Sequence, residues 1–396
     1  MITASPDDLR PFDQTVLDIQ LLGQRLRLRT GRGLFSADRI DDGTRLLLDN
    51  LPSGTPQRIL DMGCGYGALG LPVAAVHPGA QVLLVDRDLL AVQYARANAL
   101  QHGLHNVTAR PSLGYLAVGE GPFDWVLCNI PARIGKRGVA HLMECGAARL
   151  SAGGEYRAVV IRDLMPVVEE LARERGWPLR SVAAGERHHV YALSAVAAAD
   201  EDAGLYKRDE VTFQAGDDTL VLDRPHDASE DPTHVKEGMP LLLECLPRAP
   251  RGTALVMRAG YGAPAVLLAR RGASVTTADR DLMAIAYTQR NARRHGVEVA
   301  PREAVWLPAA VSPDERFDLV VGELNAGTGV EVAVHEVATS RRILKPGGQA
   351  LWLALGKLHK QWVEPMRVDA QPVATLLASR GPYTVFRVAP PRERKK

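Results

Sequence analysis

The sequence predicts an α/β chain of two tandem domains, each a mostly parallel sheet with helices on both faces. Three observations carry this. From Arg58 onward, apolar runs of strand length alternate with helical patterns of about ten residues or more, and that alternation is how a parallel sheet reads. A strand, a glycine turn and a helix follow one another in Arg58–Gly70, RILDMGCGYGALG. The same order of features returns 195 positions later, which is the mark of a duplicated unit.

In chain order, Ile19–Arg29 sets Leu26 and Leu28 against Arg25, Arg27 and Arg29, a strand pattern with one wet face. Gly31-Arg32-Gly33 breaks it. Gly43-Thr44 opens an apolar helix over Leu46–Leu48 that stops before Pro52. Ile59–Met62 reads as a strand, and Gly63, Gly65 and Gly67 as a turn into a helix over Leu69–Val76. A strand at Gln81–Val85, a helix at Leu89–His102 and a weak strand at Val107–Arg110 follow. Then come a strand at Trp125–Cys128, a helix at Ala140–Leu150, a strand at Glu155–Ile161, a helix at Met165–Glu174 and a strand at Arg187–Ala192. Ala195–Gly204 is small and acidic and reads as a linker. The expected organisation is therefore a first domain over 1–195, a linker over 196–205 and a second domain over 206–396.

The repeat rests on ordered anchors. Leu241–Pro247 mirrors Leu46–Pro52, and Gly260-Tyr261-Gly262-Ala263 mirrors Gly65-Tyr66-Gly67-Ala68. Asp279-Arg280-Asp281-Leu282 mirrors Asp86-Arg87-Asp88-Leu89, and Asn291-Ala292 mirrors Asn98-Ala99. Phe317-Asp318 and Gly347-Gly348 mirror Phe123-Asp124 and Gly153-Gly154.

Composition narrows the function classes. Over 396 residues, 48 Lys and Arg stand against 46 acids, a net charge of +2. No overall basicity announces a nucleic-acid binder, although a local basic face can hide in a neutral total. None of the four cysteines forms C-x-x-C or a zinc spacing. The start, MITASPDDLRPFD, has no signal-peptide pattern, and no apolar run reaches the roughly 18 residues of a membrane span. The cytoplasm is the expected compartment. The end, Pro390–Lys396, reads as a solvated basic tail.

The glycine turn is the centre of the functional reading. Glycine lets the backbone pass close to a ligand, and the helix behind it offers unpaired N–H groups. Asp86, at the end of the next strand and 25 residues after Asp61, is placed to accept hydrogen bonds from ribose hydroxyls. Asp61-x-Gly63-x-Gly65-x-Gly67, Asp86 and Asn129 together resemble the class I S-adenosylmethionine-dependent methyltransferases, which implies two Rossmann-like domains. With Phe35-Ser36 and Ile40-Asp41-Asp42-Gly43-Thr44, the chain looks like the small-domain group that methylates the exocyclic N2 of guanine in ribosomal RNA. That group includes tandem proteins with one active and one degenerate copy.

The resemblance implies S-adenosylmethionine as cofactor and RNA, ribosomal RNA or a ribosomal subunit, as partner. Gly63, Gly65 and Gly67 would lie against the cofactor, Asp61 would hold its amino-acid end, and Asp86 its ribose. Ser112 and Leu113 would border the adenine. Asn129 and Pro131 would be the catalytic positions, Asn129 accepting from the target amine. The family's fourth-strand motif carries a second proline and a base-stacking aromatic, whereas this chain reads Asn129-Ile130-Pro131-Ala132. That departure leaves methyl transfer to a protein amide or small molecule, or a non-catalytic RNA-binding role, as alternatives. Arg133, Lys136 and Arg137 follow as phosphate candidates or a solvated loop. No metal is expected, and His188-His189 read as ordinary strand residues.

In the second copy Val256 stands for Asp61, Arg258 for Gly63, and Glu323-Leu324-Asn325 for Asn129-Ile130-Pro131. A cation at the close-approach glycine would fill the cofactor's place. This copy is expected not to bind the cofactor and to pack against the first.

Overall fold

Ile59 and Leu60 are fully buried, so the strand that carries them needs cover on both faces, which the interior of a sheet provides. The computed structural model describes residues 6–119, 121–197, 206–226, 233–250, 252–368 and 371–391. The expected linker, apart from its first two positions, lies outside the described residues, as does most of the basic tail. The chain divides into two units, Met1–Tyr206 and Lys207–Lys396.

The first unit opens with a ribbon, β1 (Asp13–Leu21) and β2 (Gln24–Gly31), and then α1 (Asp42–Leu48). Next come β3 (Arg58–Met62), α2 (Gly70–Val76), β4 (Gln81–Asp86), α3 (Leu89–Gln101), β5 (Val107–Pro111) and β6 (Phe123–Asn129). The unit ends with α4 (Gly135–Ala147), β7 (Leu150–Ile161), α5 (Met165–Arg175), β8 (Leu179–Ala184) and β9 (His188–Leu193). Seven strands form one sheet in the order β5-β4-β3-β6-β7-β9-β8. The strands from β5 to β7 are parallel, and β9 and β8 add antiparallel at one edge.

The second unit repeats this plan. It comprises β10 (Lys207–Ala215), β11 (Asp218–Pro225), α6 (Met239–Cys245), β12 (Thr253–Met257), α7 (Ala263–Arg270), β13 (Ser274–Asp279), α8 (Leu282–Arg294) and β14 (Ala300–Glu303). Then follow α9 (Leu307–Ala310), β15 (Phe317–Glu323), α10 (Val330–Arg342), β16 (Leu344–Leu355), a short ribbon of β17 (Arg367–Val368) and β18 (Gln371–Pro372), β19 (Ala374–Arg380) and β20 (Tyr383–Val388). Its seven-stranded sheet has the matching order β14-β13-β12-β15-β16-β20-β19. Two mostly parallel sheets flanked by helices bear out the predicted fold class. Among the described residues no helix is long and apolar enough to cross a membrane.

Three local expectations change. Ile19–Arg29 is not one strand but the inner part of the β1–β2 ribbon, which folds back at Leu22 and Gly23, with φ of 51° and 76°. A leucine in the left-handed region gives no compositional warning of a turn. The helix expected over Ala140–Leu150 begins earlier, at Gly135, and stops at Ala147, because Leu150 already belongs to β7. An edge strand, β8, was not expected at all; its half-exposed residues carry little apolar signal.

One buried side chain ties these layers together. Asn98 of α3 accepts from the Arg29 amide at 2.8 Å and donates to the Arg29 and Tyr66 carbonyls, both at 2.9 Å. The ribbon, the helix and the glycine turn are thereby joined through one carboxamide that uses both donors and its oxygen. Asn291 of α8 does the same in the second unit, binding the Asp223 amide and the Asp223 and Tyr261 carbonyls. Both are fully buried. Asn98→Ala strands one buried and two part-buried backbone groups, and is expected to lower the unit's stability by about 3 kcal/mol in urea unfolding; a loss under about 1 kcal/mol would contradict the clamp.

Candidate cofactor and acceptor site

The sheet order reverses between β3 and β6, and open α/β sheets bind ligands at that point, outside the carboxyl ends of the strands. Met62 and Cys128 are register partners on these two neighbouring strands. The glycine turn and Asn129 therefore leave the same edge side by side, although 66 residues separate Gly63 from Asn129 in sequence.

Gly63, Gly65 and Gly67 all hold positive φ, 76°, 54° and 96°. A Cβ on Gly63 or Gly65 would meet nothing within 4 Å, whereas one on Gly67 would strike Leu71 at 2.4 Å. The first two line open space, and the third is needed for the helix to pack. Gly63 and Cys64 donate to the Val85 carbonyl at 2.8 and 3.0 Å. The Asp86 carboxylate then accepts from Gly65 and Asp88 amides, both at 2.9 Å. Asp86 is thereby fixed beside the turn.

Asp61 lies beneath the turn, fully buried. Its Oδ2 accepts from Gly70 at 2.8 Å, while Oδ1 has no hydrogen-bond partner among the described residues. Burial pushes its pKa up to about 7; the Gly70 amide opposes this and the Asp86 charge adds to it. The unsatisfied oxygen and the open glycine cradle fit a ligand that brings positive charge.

Asn129 ends β6. Its Nδ2 donates to Asp41 Oδ2 at 3.0 Å and Thr44 Oγ1 at 3.2 Å. Asp41 is also the N-cap of α1, accepting from the Gly43 and Thr44 amides at 3.0 and 3.2 Å. A carboxylate only accepts, so it fixes which end of the amide it faces. Oδ1 is left as the acceptor of Asn129. The Ile130 amide is tied to the Val159 carbonyl at 2.9 Å and its side chain is buried, which anchors the start of the motif. Pro131, Ala132, Arg133 and Arg137 are exposed. Lys136 is also exposed, but its ammonium pairs with Glu170 at 3.1 Å and Glu174 at 3.0 Å.

Ser112 follows β5, its amide bonded to the Asp86 carbonyl at 2.9 Å. Its hydroxyl is engaged within its own loop, donating to the Gly114 carbonyl at 2.6 Å and accepting from Ala117 at 3.0 Å. Leu113 is buried. Asp41 and Thr44 were expected only as part of the motif that opens the helix and not as partners of Asn129, although an acid before Gly43-Thr44 is a helix-start signal. Tyr66, within the turn, was likewise unassigned; its hydroxyl donates to the Ser36 and Arg39 carbonyls at 3.1 and 3.4 Å.

The corresponding place in the second unit is occupied. Arg258 repeats the backbone bond of Gly63, donating to the Ala278 carbonyl at 2.8 Å, and holds φ 51°. Its guanidinium binds the Glu323 carbonyl at 2.8 Å and the carboxylate of Glu336, a fully buried residue of α10. Burial works against the Arg258 charge, but Glu336 holds its pKa above the ordinary value. Glu323, in the place of Asn129, pairs with His234 at 3.0 Å. Asn325 caps a short turn, its side chain accepting from Gly327 at 2.7 Å.

The raised Asp61 pKa has a definite sign. The folded chain holds a proton on Asp61 that the unfolded chain has already lost between about pH 4 and 7. Stability from this group therefore falls as pH rises through that window, and Asp61→Asn is expected to remove that slope in urea unfolding run from pH 4.5 to 7.5. An unchanged slope would contradict the assignment.

The family model described as the Methyltransferase small domain matches residues 25–191 and again 232–386. The Ribosomal RNA large subunit methyltransferase G of Shewanella oneidensis is 33% identical over 124 residues, 28% of this chain and 30% of that protein. The Ribosomal RNA small subunit methyltransferase C of Salmonella choleraesuis is 34% identical over 138 residues, 34% of this chain and 40% of that protein. The chain thus spans about a third of the length of such curated relatives. A solved structure of a T. thermophilus 16S rRNA N2 methyltransferase in complex with AdoMet and guanosine aligns over 95% of this chain and 98% of that one, with a TM-score of 0.67 and 22% identity; it supports the shared fold. Matched by one model in both halves, the chain belongs to the methyltransferase small-domain family.

Proposed function

We propose that the chain is an S-adenosylmethionine-dependent methyltransferase whose first copy modifies an exocyclic guanine amine of ribosomal RNA. The observation that carries this reading is the oriented amide of Asn129. Asp41 and Thr44 hold its nitrogen, so Oδ1 is the acceptor at the edge shared with the open turn of Gly63 and Gly65. An amine that donates one N–H to Oδ1 has its lone pair constrained in direction. Alignment of this kind is the main thing such a transfer asks of a protein.

S-adenosylmethionine, when bound, supplies an electrophilic methyl group on a sulfonium. Gly63 and Gly65 would leave room for it, Asp86 would take its ribose hydroxyls, and Asp61 would face its positive amino-acid end. Ser112 and Leu113 would border the adenine through backbone and Cβ, because the Ser112 hydroxyl is already engaged. Pro131 would shape the acceptor side from its exposed position. The relatives' names, which speak of ribosomal RNA methyl transfer, favour RNA over a protein amide or a small molecule. The second copy, its turn filled by Arg258 and Glu336, would not bind the cofactor.

The test is calorimetric titration of S-adenosylmethionine followed by labelled transfer to unmodified 16S and 23S RNA. The expected result is one cofactor per chain, binding lost in Asp86→Ala and retained in Arg258→Ala, with ribonuclease-sensitive label in N2-methylguanosine. Two sites per chain, no binding, or label removed by protease would overturn the corresponding part.

A further inference from the structure

The turn between β2 and α1 carries an apolar side chain that the fold does not bury. Phe35 is 73% exposed. The backbone beneath it is nonetheless held from several sides. Leu34 donates to the Gly31 carbonyl at 3.2 Å, the Thr30 hydroxyl to the Ala37 carbonyl at 2.7 Å, and the Ser36 hydroxyl to the Arg39 carbonyl at 2.6 Å. Tyr66 of the glycine turn reaches across to the Ser36 carbonyl at 3.1 Å. Ser36 itself is one of three non-glycine residues at positive φ among the described residues, at 50°. Such a conformation persists only where surrounding bonds hold it.

This turn joins the two halves of the site. At Ser36 and Arg39 it is bonded to Tyr66, within the cofactor turn. A few residues on it reaches Asp41, which orients Asn129. An exposed ring is thus mounted on the segment that spans cofactor side and acceptor side. The segment after Asn129 supplies no ring of its own: Ile130 is buried, and the exposed positions that follow are Pro131, Ala132 and Arg133. A guanine taken out of its stack for modification loses stacking that something must replace.

We infer that Phe35 is the base-stacking residue of the first copy, receiving the face of the acceptor guanine while Asn129 takes its amine. The inference rests on the RNA-guanine reading above. A ring on a bonded turn meets the base at little ordering cost, and base–aromatic stacking is worth about 1–3 kcal/mol per base.

The test compares wild type with Phe35→Ala, Phe35→Leu and Phe35→Tyr, using labelled transfer to unmodified 16S and 23S transcripts and calorimetric S-adenosylmethionine binding. The Ala and Leu variants are expected to lose kcat/KM for RNA by about 5- to 100-fold, mainly through KM, and the Tyr variant to stay near wild type. Cofactor affinity should stay within about twofold in all of them. Phe35→Trp should show fluorescence quenched by guanosine monophosphate beyond any change in wild type. Full activity in Phe35→Ala, rescue by Leu as complete as by Tyr, or parallel loss of cofactor affinity would overturn the stacking role. A wild type that binds cofactor but labels no RNA would overturn the RNA reading, and this inference with it.

Discussion

The Asn98 carboxamide, with three hydrogen bonds to backbone that is distant in sequence, is the constraint on which the rest of the first unit turns. It fixes the end of the β1–β2 ribbon against the glycine turn. The ribbon then leads directly into the segment that carries Phe35, Ser36 and Asp41. The clamp works together with the bonds of Asp41 to Asn129 and of Tyr66 to Ser36, which tie the cap and the turn to the sheet edge directly. A buried amide with three of its four hydrogen-bonding positions used is specific in a way apolar packing is not, because a shift in register leaves polar groups unpaired.

The two copies separate what the fold needs from what the chemistry needs. Asn291 repeats the clamp, bond for bond, and the sheet order is the same. The differences lie at the ligand edge. An open glycine is replaced by Arg258, whose charge is neutralised by the buried Glu336, and the oriented amide is replaced by a glutamate paired with His234. Removing one partner of a buried ion pair costs about 3–5 kcal/mol, so Arg258 and Glu336 now belong to the stability of their unit.

The interior of each sheet was legible in the sequence because strands buried on both faces read as continuous apolar runs, as in Ile59-Leu60 and Val126-Leu127. Gly63, Gly65 and Asp86 were legible because the turn and the acid after the next strand keep a fixed spacing, and the structure brings Gly65 and Asp86 into direct hydrogen-bond contact. Long-range pairs were not. Asp41 meets Asn129 across 88 positions, and Arg258 meets Glu336 across 78; neither leaves a local pattern. The ribbon turn was missed because the single Gly23 follows a leucine that also takes positive φ, and the start of α4 because Ile134 offers no capping side chain.

On the proposed reading the chemistry reduces to a chain of orientation: the α1 cap holds the Asn129 nitrogen, and the amide oxygen would direct the acceptor amine. The measurement that tests this most directly is a double-mutant cycle on labelled transfer to RNA with Asp41→Ala, Asn129→Ala and the pair. If Asp41 acts through Asn129, each single change lowers kcat by about 10- to 100-fold. The double variant is then no worse than Asn129→Ala, Asp41→Asn retains most activity, and cofactor affinity holds throughout. Losses that simply add, or full activity in Asp41→Ala, would contradict the account.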